Sequence, residues 1–225
     1  MLFRSNDPHR IYYTAPGDHL VYTGSNTGTL VVYPGEGTTI AGLMSFRGLL
    51  VVWKYPRGIY TIDTRNVDVA TWVAQPVTRA VGGVNGHCII QIENDILYMD
   101  AAGFFHLLSA TQDLGDVKTS NISEQIANLG NFIRNNISLT NIRRSHAVYY
   151  GANREAWFMM PKAGSTSPDF RFSVDFNDPQ LGPRFLTHSR DSGIRSMWLR
   201  PSATKIEQPV QGDGDGFRSE EHTSE

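Results

Sequence analysis

Cysteine is almost absent from this chain: Cys88 is the only one in 225 residues. A single thiol makes no intrachain disulfide and no cysteine-based metal cluster. Between His87 and Ile89 in an apolar run, it reads as a buried, inert side chain. Long hydrophobic runs are lacking too, and the longest, such as Leu49–Trp53, are far too short to cross a bilayer. No basic flank precedes a long apolar core near the N-terminus, so nothing reads as a secretory signal. Charge of one sign is missing as well. With 20 basic and 22 acidic residues and no basic block, composition gives no electrostatic case for a nucleic-acid surface.

What is present is apolar residues, aromatics and turn formers. Hydrophobic residues make up 40% of the chain and charged residues 19%, which excludes a disordered tail and a membrane protein alike. Eleven Phe, nine Tyr and four Trp accompany 21 Gly and 11 Pro, the mix of an all-β protein with many turns.

The clearest stretch is Ile40–Asp63. It predicts three strands: an apolar run to Phe46, a turn at Arg47-Gly48, Leu49–Lys54, a break at Tyr55–Arg57, and Gly58–Asp63. Before it, Ile11–Thr14 and Leu30–Tyr33 read as strands, His19–Thr23 as a weaker one, and Ser25–Thr29 as loop. Met1–Arg10 is polar after its first three residues and reads as starting inside a longer gene. Val67–Thr78 is strand-like but carries Pro76, which points to an edge or a crossover. A second meander runs through Gly86–Gln91, a hairpin at Glu93-Asn94-Asp95, Ile96–Met99 and Phe104–Leu108. The two hairpins lie about 47 residues apart, within the spacing of β-propeller blades.

Ser120–Asn136 breaks the pattern. Ile122, Ile126, Leu129 and Ile133 recur at helical spacing, Asn121 or Ser123 can cap the start, and Glu124 suits the helix dipole. The stretch predicts a short amphipathic helix, 122–134, inserted between sheets and packed on a sheet face; a partner-binding or membrane-lying helix is its alternative. A third meander follows: Ser145–Tyr150, a turn at Gly151–Arg154, Glu155–Met160, a loop at Gly164–Pro168, and Phe170–Asp175. A fourth set runs through Arg184–Thr187, Ile194–Leu199 and Lys205–Val210 to Gly212–Gly216. The expected fold is therefore all-β: a partial β-propeller of about three antiparallel blades (roughly 11–63, 67–109 and 141–176), a truncated set at 184–217, and one short helix.

Arg218–Glu225 reads RSEEHTSE, which resembles the in-frame translation of a sequencing-library adapter. On that reading, residues 218–225 are an artefact and the natural residues stop near Phe217. Taking Arg218, Glu220, Glu221 and Glu225 from the totals leaves 19 basic and 19 acidic residues and no formal charge. A truncated propeller would leave an open blade edge, so the chain is expected to aggregate or self-associate.

Candidate sites are sparse. The histidines are His9, His19, His87, His106, His146, His188 and His222; none pairs with another at ligand spacing, though His106 and His146 could converge on a metal. Gly212–Gly216 resembles a calcium loop without its downstream acid, and a tight turn explains it better. Asp63 and Asp100 each follow a strand carrying a Tyr and could form a glycosidase-like pair. Equivalent meanders would place them at opposite ends of their sheets, so turn roles are expected instead. Trp53, Trp72, Trp157 and Trp198 fall in strand-like runs and are expected to wedge between neighbouring blades rather than stack on sugars. No catalytic, cofactor-binding or metal residue is assigned.

The segments Arg10–Tyr13, Ile40–Leu43, Phe46–Lys54 and Ile59-Tyr60, with the helix near Ile122–Ile133, Ala147–Tyr150 and Glu155–Phe158, resemble the β-propeller virion structural proteins of tailed bacteriophages, of the tail-hub, tail tubular and packaged-DNA-stabilisation type. The resemblance spans Arg10 to Phe217. It implies a subunit of a tail or head-to-tail neck, assembled in the host cytoplasm into the virion. Such a subunit is no enzyme and uses no cofactor. Its partners would be other virion subunits in a ring-forming or axial oligomer, with no membrane and no sequence-specific nucleic acid. A carbohydrate-acting or carbohydrate-binding propeller is the alternative, since fold alone does not fix function.

Overall fold

The computed structural model describes residues 2–4, 7–14, 20, 27–66, 68–110, 117–125, 128–177, 183–189, 194–201, 207–213 and 218–220. The chain is all-β, arranged as antiparallel meanders in which strands adjacent in sequence are adjacent in space. Strands β1 (Leu2–Arg4), β2 (Asp7–Tyr13) and β3 (Gly28–Val31) form the first sheet. The second contains β4 (Thr39–Phe46), β5 (Leu49–Tyr55), β6 (Ile59–Asp63) and β7 (Ala74–Thr78). The third contains β8 (Ile89–Ile92), β9 (Asp95–Met99), β10 (Phe105–Ala110) and β11 (Val117–Asn121). The fourth holds β12 (His146–Tyr150), β13 (Glu155–Pro161), β14 (Pro168–Asp175) and β15 (Arg184–Ser189); β16 (Ile194–Pro201), β17 (Glu207–Asp213) and β18 (Arg218–Glu220) make the fifth.

The second sheet shows why the local sequence folds as it does. Arg47 and Gly48 both take positive φ, 49° and 80°. That twist suits a two-residue hairpin and pins Phe46 opposite Leu49. The following strand, LLVVWKY, is buried at every position from Leu49 to Lys54. Both of its faces are therefore covered, and β-branched and aromatic side chains fill the space on either side. Gly42 is needed where this sheet meets the next. A Cβ there would lie 2.8 Å from the Gly86 Cα and 2.6 Å from Ile89 Cδ1. One extra residue, Ala41, bulges β4 just before this contact.

Each sheet packs against the one that follows it in the chain, through β2 and β4, β8 and β12, and β12 and β16, with β7 against β11 and the turn before β8 against β4. Three apolar clusters fill the seams. Ile11, Val32, Val52, Tyr60 and Ile62 lie between the first and second sheets. Val51, Trp53, Ile59, Ile96 and Tyr98 lie between the second and third. The largest, between the third and fourth, joins Met99, Phe105, Phe158, Phe172 and Val174. Phe105 stacks on Phe172 at 4.9 Å and tilts against Phe158 at 4.7 Å.

Several expected boundaries are corrected. The unit expected at 11–63 divides into two sheets, because β2 and β3 pair with β1 rather than with β4. Ala74–Thr78, assigned to a unit at 67–109, closes the second sheet instead, opposite β6. Pro76 is tolerated there because β7 is an edge strand, whose outward N–H needs no partner. Val69–Thr71, expected as strand, is a 3₁₀ turn capped by Asp68, whose carboxylate accepts the Ala70 N–H. Arg184–Ser189, expected to begin a truncated set at 184–217, completes the fourth sheet against β14, beyond the expected limit of 141–176. Residues 218–220, read as adapter-derived, pair with β17 as an edge strand, which requires only backbone groups. His19–Thr23 and Gly214–Gly216 lie outside the described residues, Leu20 apart, while Gly212 and Asp213 belong to β17.

The helix expected at 122–134 is shorter and starts later. Ser120 and Asn121 finish β11, Ile122–Gln125 is a 3₁₀ turn, and the α-helix α1 runs from Leu129 to Asn136. Asn121 does cap the turn, its side-chain oxygen accepting the Ser123 N–H at 2.9 Å. Ile122, Leu129 and Ile133 are buried in the seam between the third and fourth sheets, which uses the apolar face for packing rather than for a membrane or a partner. Ile126 lies outside the described residues. Among the described residues no helix is long and apolar enough to cross a membrane.

Because Gly42 and Gly86 let two backbones touch, Gly42→Val should destabilise the chain by about 1–3 kcal/mol through overpacking. Urea unfolding followed by tryptophan fluorescence measures this; an unchanged midpoint would mean that the seam is not closely packed.

Candidate functional site

Three polar clusters interrupt the apolar seams. The first surrounds Lys54, the last fully buried residue of β5. Its Nζ donates to the carbonyls of Val32 at 3.1 Å and Tyr33 at 2.7 Å. The ammonium lies 5.7 Å from the centre of the Tyr60 ring, which stacks on Tyr33 at 4.7 Å. Tyr60 Oη donates to Glu36 Oε2 at 2.8 Å, and the Arg79 guanidinium lies over the Tyr33 ring at 5.1 Å. Burial lowers the Lys54 pKa, with Glu36 opposing the shift, and burial with the Glu36 bond pushes Tyr60 up to about 12. Tyr60 therefore stays a neutral donor at any physiological pH. The cluster fastens the segment 32–36, which leads out of the first sheet, onto the second.

The second cluster closes the turn between β9 and β10. Asp100 Oδ1 accepts the N–H groups of Ala102 at 2.8 Å and Phe104 at 2.9 Å, and its Oδ2 bonds His106 Nε2 at 2.9 Å. The imidazole stacks on Tyr98 at 5.2 Å, and Tyr98 Oη bonds Thr119 Oγ1 on β11. Both Asp100 and His106 are buried. A His–carboxylate pair is a familiar catalytic motif, but here the carboxylate's bonds go to its own turn and to a buried ring.

The third cluster lies where β8 and β12 begin. Asn85 Nδ2 donates to the carbonyls of Arg143 and Ser145, each at 2.8 Å, while its Oδ1 caps the turn at Cys88 N at 2.9 Å. One side chain thereby ties the third sheet to the fourth. His146 follows at once, its Nε2 buried without a partner among the described residues. Burial, then the charge that His87 would carry nearby, lowers its pKa to about 4.

The candidates from sequence fall among these clusters or away from them. His106 and His146 do not converge; the first is bonded to Asp100 and the second lies beside His87. His9 is in β2 and His188 in β15, while His19 and His222 lie outside the described residues. Among the described residues no three His, Cys, Asp or Glu side chains gather as a metal would require. Asp63 and Asp100 sit at opposite ends of equivalent sheets. Asp63 lies opposite Leu49 at the hairpin end, held by Arg65, which depresses its pKa to about 2. Cys88 is buried, and desolvation raises its thiol pKa.

Trp53 wedges between the second and third sheets, its ring 5.8 Å from Tyr98. Trp157 is buried beneath the Arg171 guanidinium at 4.4 Å. Trp198, at 41% exposure, departs from the expected wedge. Trp72 donates Nε1–H to the Asn66 carbonyl and lines an open groove of about 340 Å³ with Leu30, Tyr33, Pro34 and Val73. That lining holds no carboxylate or amide to read sugar hydroxyls.

Sequence reasoning missed Lys54 and Asn85. Lys54 left a signal, a lone charge inside an apolar strand. Asn85 left none, because its partners lie 58 and 60 residues away. No protein-family model matches the sequence, and no curated protein is significantly similar to it.

Lys54→Met should destabilise the chain by about 1–3 kcal/mol for each carbonyl left without a donor in a urea titration; equal or greater stability would show that the ammonium is tolerated rather than used. His146 gives a pH dependence of definite sign. Its folded pKa, about 4, lies below the usual 6.5, so the unfolded chain binds the extra proton first. Stability is full above pH 6.5 and falls as the pH drops toward 4. The loss is on the order of 3 kcal/mol at most. Thermal melts across that range should show the decline, and His146→Phe should flatten it; an unaltered slope in the variant would assign the decline elsewhere.

Proposed function

We propose that this chain is a structural subunit of a tailed-phage virion, in the tail or the head-to-tail neck, built as part of a β-propeller and working through protein contacts. The observation that carries this reading is the serial packing of five antiparallel meanders, each laid against the next in chain order. That arrangement is the one propeller blades adopt. The resemblance of Arg10–Tyr13, Ile40–Leu43, Phe46–Lys54, Ala147–Tyr150 and Glu155–Phe158 to virion propellers points the same way.

The polar clusters support a structural role. Lys54 is spent on backbone carbonyls, Asp100 on its own turn and His106, and Asn85 on joining two sheets. A glycosidase would instead need two carboxylates facing one another, and Asp63 and Asp100 occupy opposite ends of their sheets. Other virion subunits in a ring or along an axis are the partners, with neither cofactor nor catalysis.

Antibodies raised against the chain, used for immunogold labelling of phage particles from the source sample, test the proposal. Gold at the tail or neck is the expected result. Unlabelled particles, with the antigen found only in the particle-free supernatant, would overturn it.

A further inference from the structure

The described charges are unequally arranged at the two ends of the sheets. At the hairpin end, where β4 passes to β5 and β8 to β9, two arginines are neutralised, while exposed Arg47 lies over the Phe46 ring at 5.6 Å. Arg65 pairs with Asp63, and Arg154 forks onto Glu93 with bonds of 2.8 and 3.3 Å. At the opposite end, where β4, β8 and β12 begin, three segments distant in sequence meet. The Tyr55–Arg57 turn is held by the Gly58 N–H bond to Val81 and by Gly82 packed against the Arg57 backbone. Asn85 clasps the turn that ends at Ser145. The Arg143 guanidinium lies over the Tyr55 ring at 4.7 Å, and Arg144 Nη1 donates to the Thr166 carbonyl at 2.8 Å.

This convergence gathers Arg57, Arg143 and Arg144, all exposed, around the seams of the second, third and fourth sheets, with exposed His87 among them. Among the described residues none of the three guanidiniums has a carboxylate partner. The described carboxylates at this end are engaged internally: Glu36 by Tyr60, Asp100 by His106, and Asp169 by the Lys162 N–H. Among the described residues, then, the end is a rim of arginines without a carboxylate partner.

We propose that this rim is a docking surface for an acidic protein segment, one rich in Glu or Asp. Guanidinium forks match carboxylates bidentately, and Arg143 is already oriented by its stacking on Tyr55. Charge complementarity picks out this end, since among the described residues three exposed arginines without a carboxylate partner gather here, against Arg47 at the hairpin end, where Arg65 and Arg154 are paired. A nucleic acid is the less favoured partner. The sequence pI is about 6.4 and the formal charge −2, so no long-range field gathers a polyanion, and a short acidic segment needs only the local patch. The inference rests on the reading of the chain as a protein-contact module and not on its place in a virion.

Fluorescence anisotropy of a labelled Glu/Gly peptide with the whole chain tests it, beside a Lys/Gly peptide and a labelled DNA duplex. The acidic peptide should bind and weaken as salt rises. Arg57→Gln with Arg144→Gln should lower its affinity about tenfold or more, the loss of at least one charge-assisted contact. Arg65→Gln with Arg154→Gln, at the other end, should leave affinity unchanged. Circular dichroism melts confirm that both double variants fold. No binding of the acidic peptide, or binding indifferent to the rim variants, overturns the proposal; rim-dependent binding of the duplex in preference to the peptide reassigns the surface to nucleic acid. Each outcome is independent of the immunogold result, so the two readings fail separately.

Discussion

The structure depends on strands that bury both faces. In β5, six consecutive residues from Leu49 to Lys54 are buried, and Ile96–Met99 in β9 are likewise enclosed. A sheet with such a strand at its centre cannot turn one side to water. It must be flanked by further sheets, and the meander connections supply the nearest ones, before and after it in the chain. Serial packing follows from this demand. Glycines at Gly42 and Gly86 allow the approach, and ring contacts such as Trp53 with Tyr98 and Phe105 with Phe158 fill what remains.

Double burial also explains where the polar groups went. A charge or amide caught in a seam must be bonded, so each cluster became a fastening. Lys54 holds the exit of the first sheet, Asp100 shapes a turn and orients His106, and Asn85 bridges the third and fourth sheets. These residue types would suggest chemistry if met in an open cleft. Their environment makes them joints.

The sequence made individual strands legible where Gly, Pro or Asn punctuated runs of β-branched and aromatic residues, as at Arg47-Gly48 and Glu93-Asn94. It concealed the partition into sheets, because alternation reports that a segment is extended but not which neighbour it pairs with. Hence Ala74–Thr78 and Arg184–Ser189, each the fourth strand of a sheet, read as the start of the next unit. The helical spacing near Leu129 and Ile133 was real, yet its first turn was drawn into β11 and a 3₁₀ turn by cross-strand bonding. The arginine rim was invisible for a simpler reason: Arg57 lies far along the chain from Arg143 and Arg144, so no basic block exists to be seen.

Meander connectivity has a kinetic side. In the second, third and fourth sheets every strand pairs with its sequence neighbour, so the ladders close short loops at little entropic cost. A ribosome releasing the chain from its N-terminus would expose complete sheets one after another, each offering an apolar face on which the next condenses. Only the long-range clasps, such as Asn85 on Arg143 and Ser145, must wait for residues still inside the exit tunnel. The order of synthesis is thus also the order in which the seams can form.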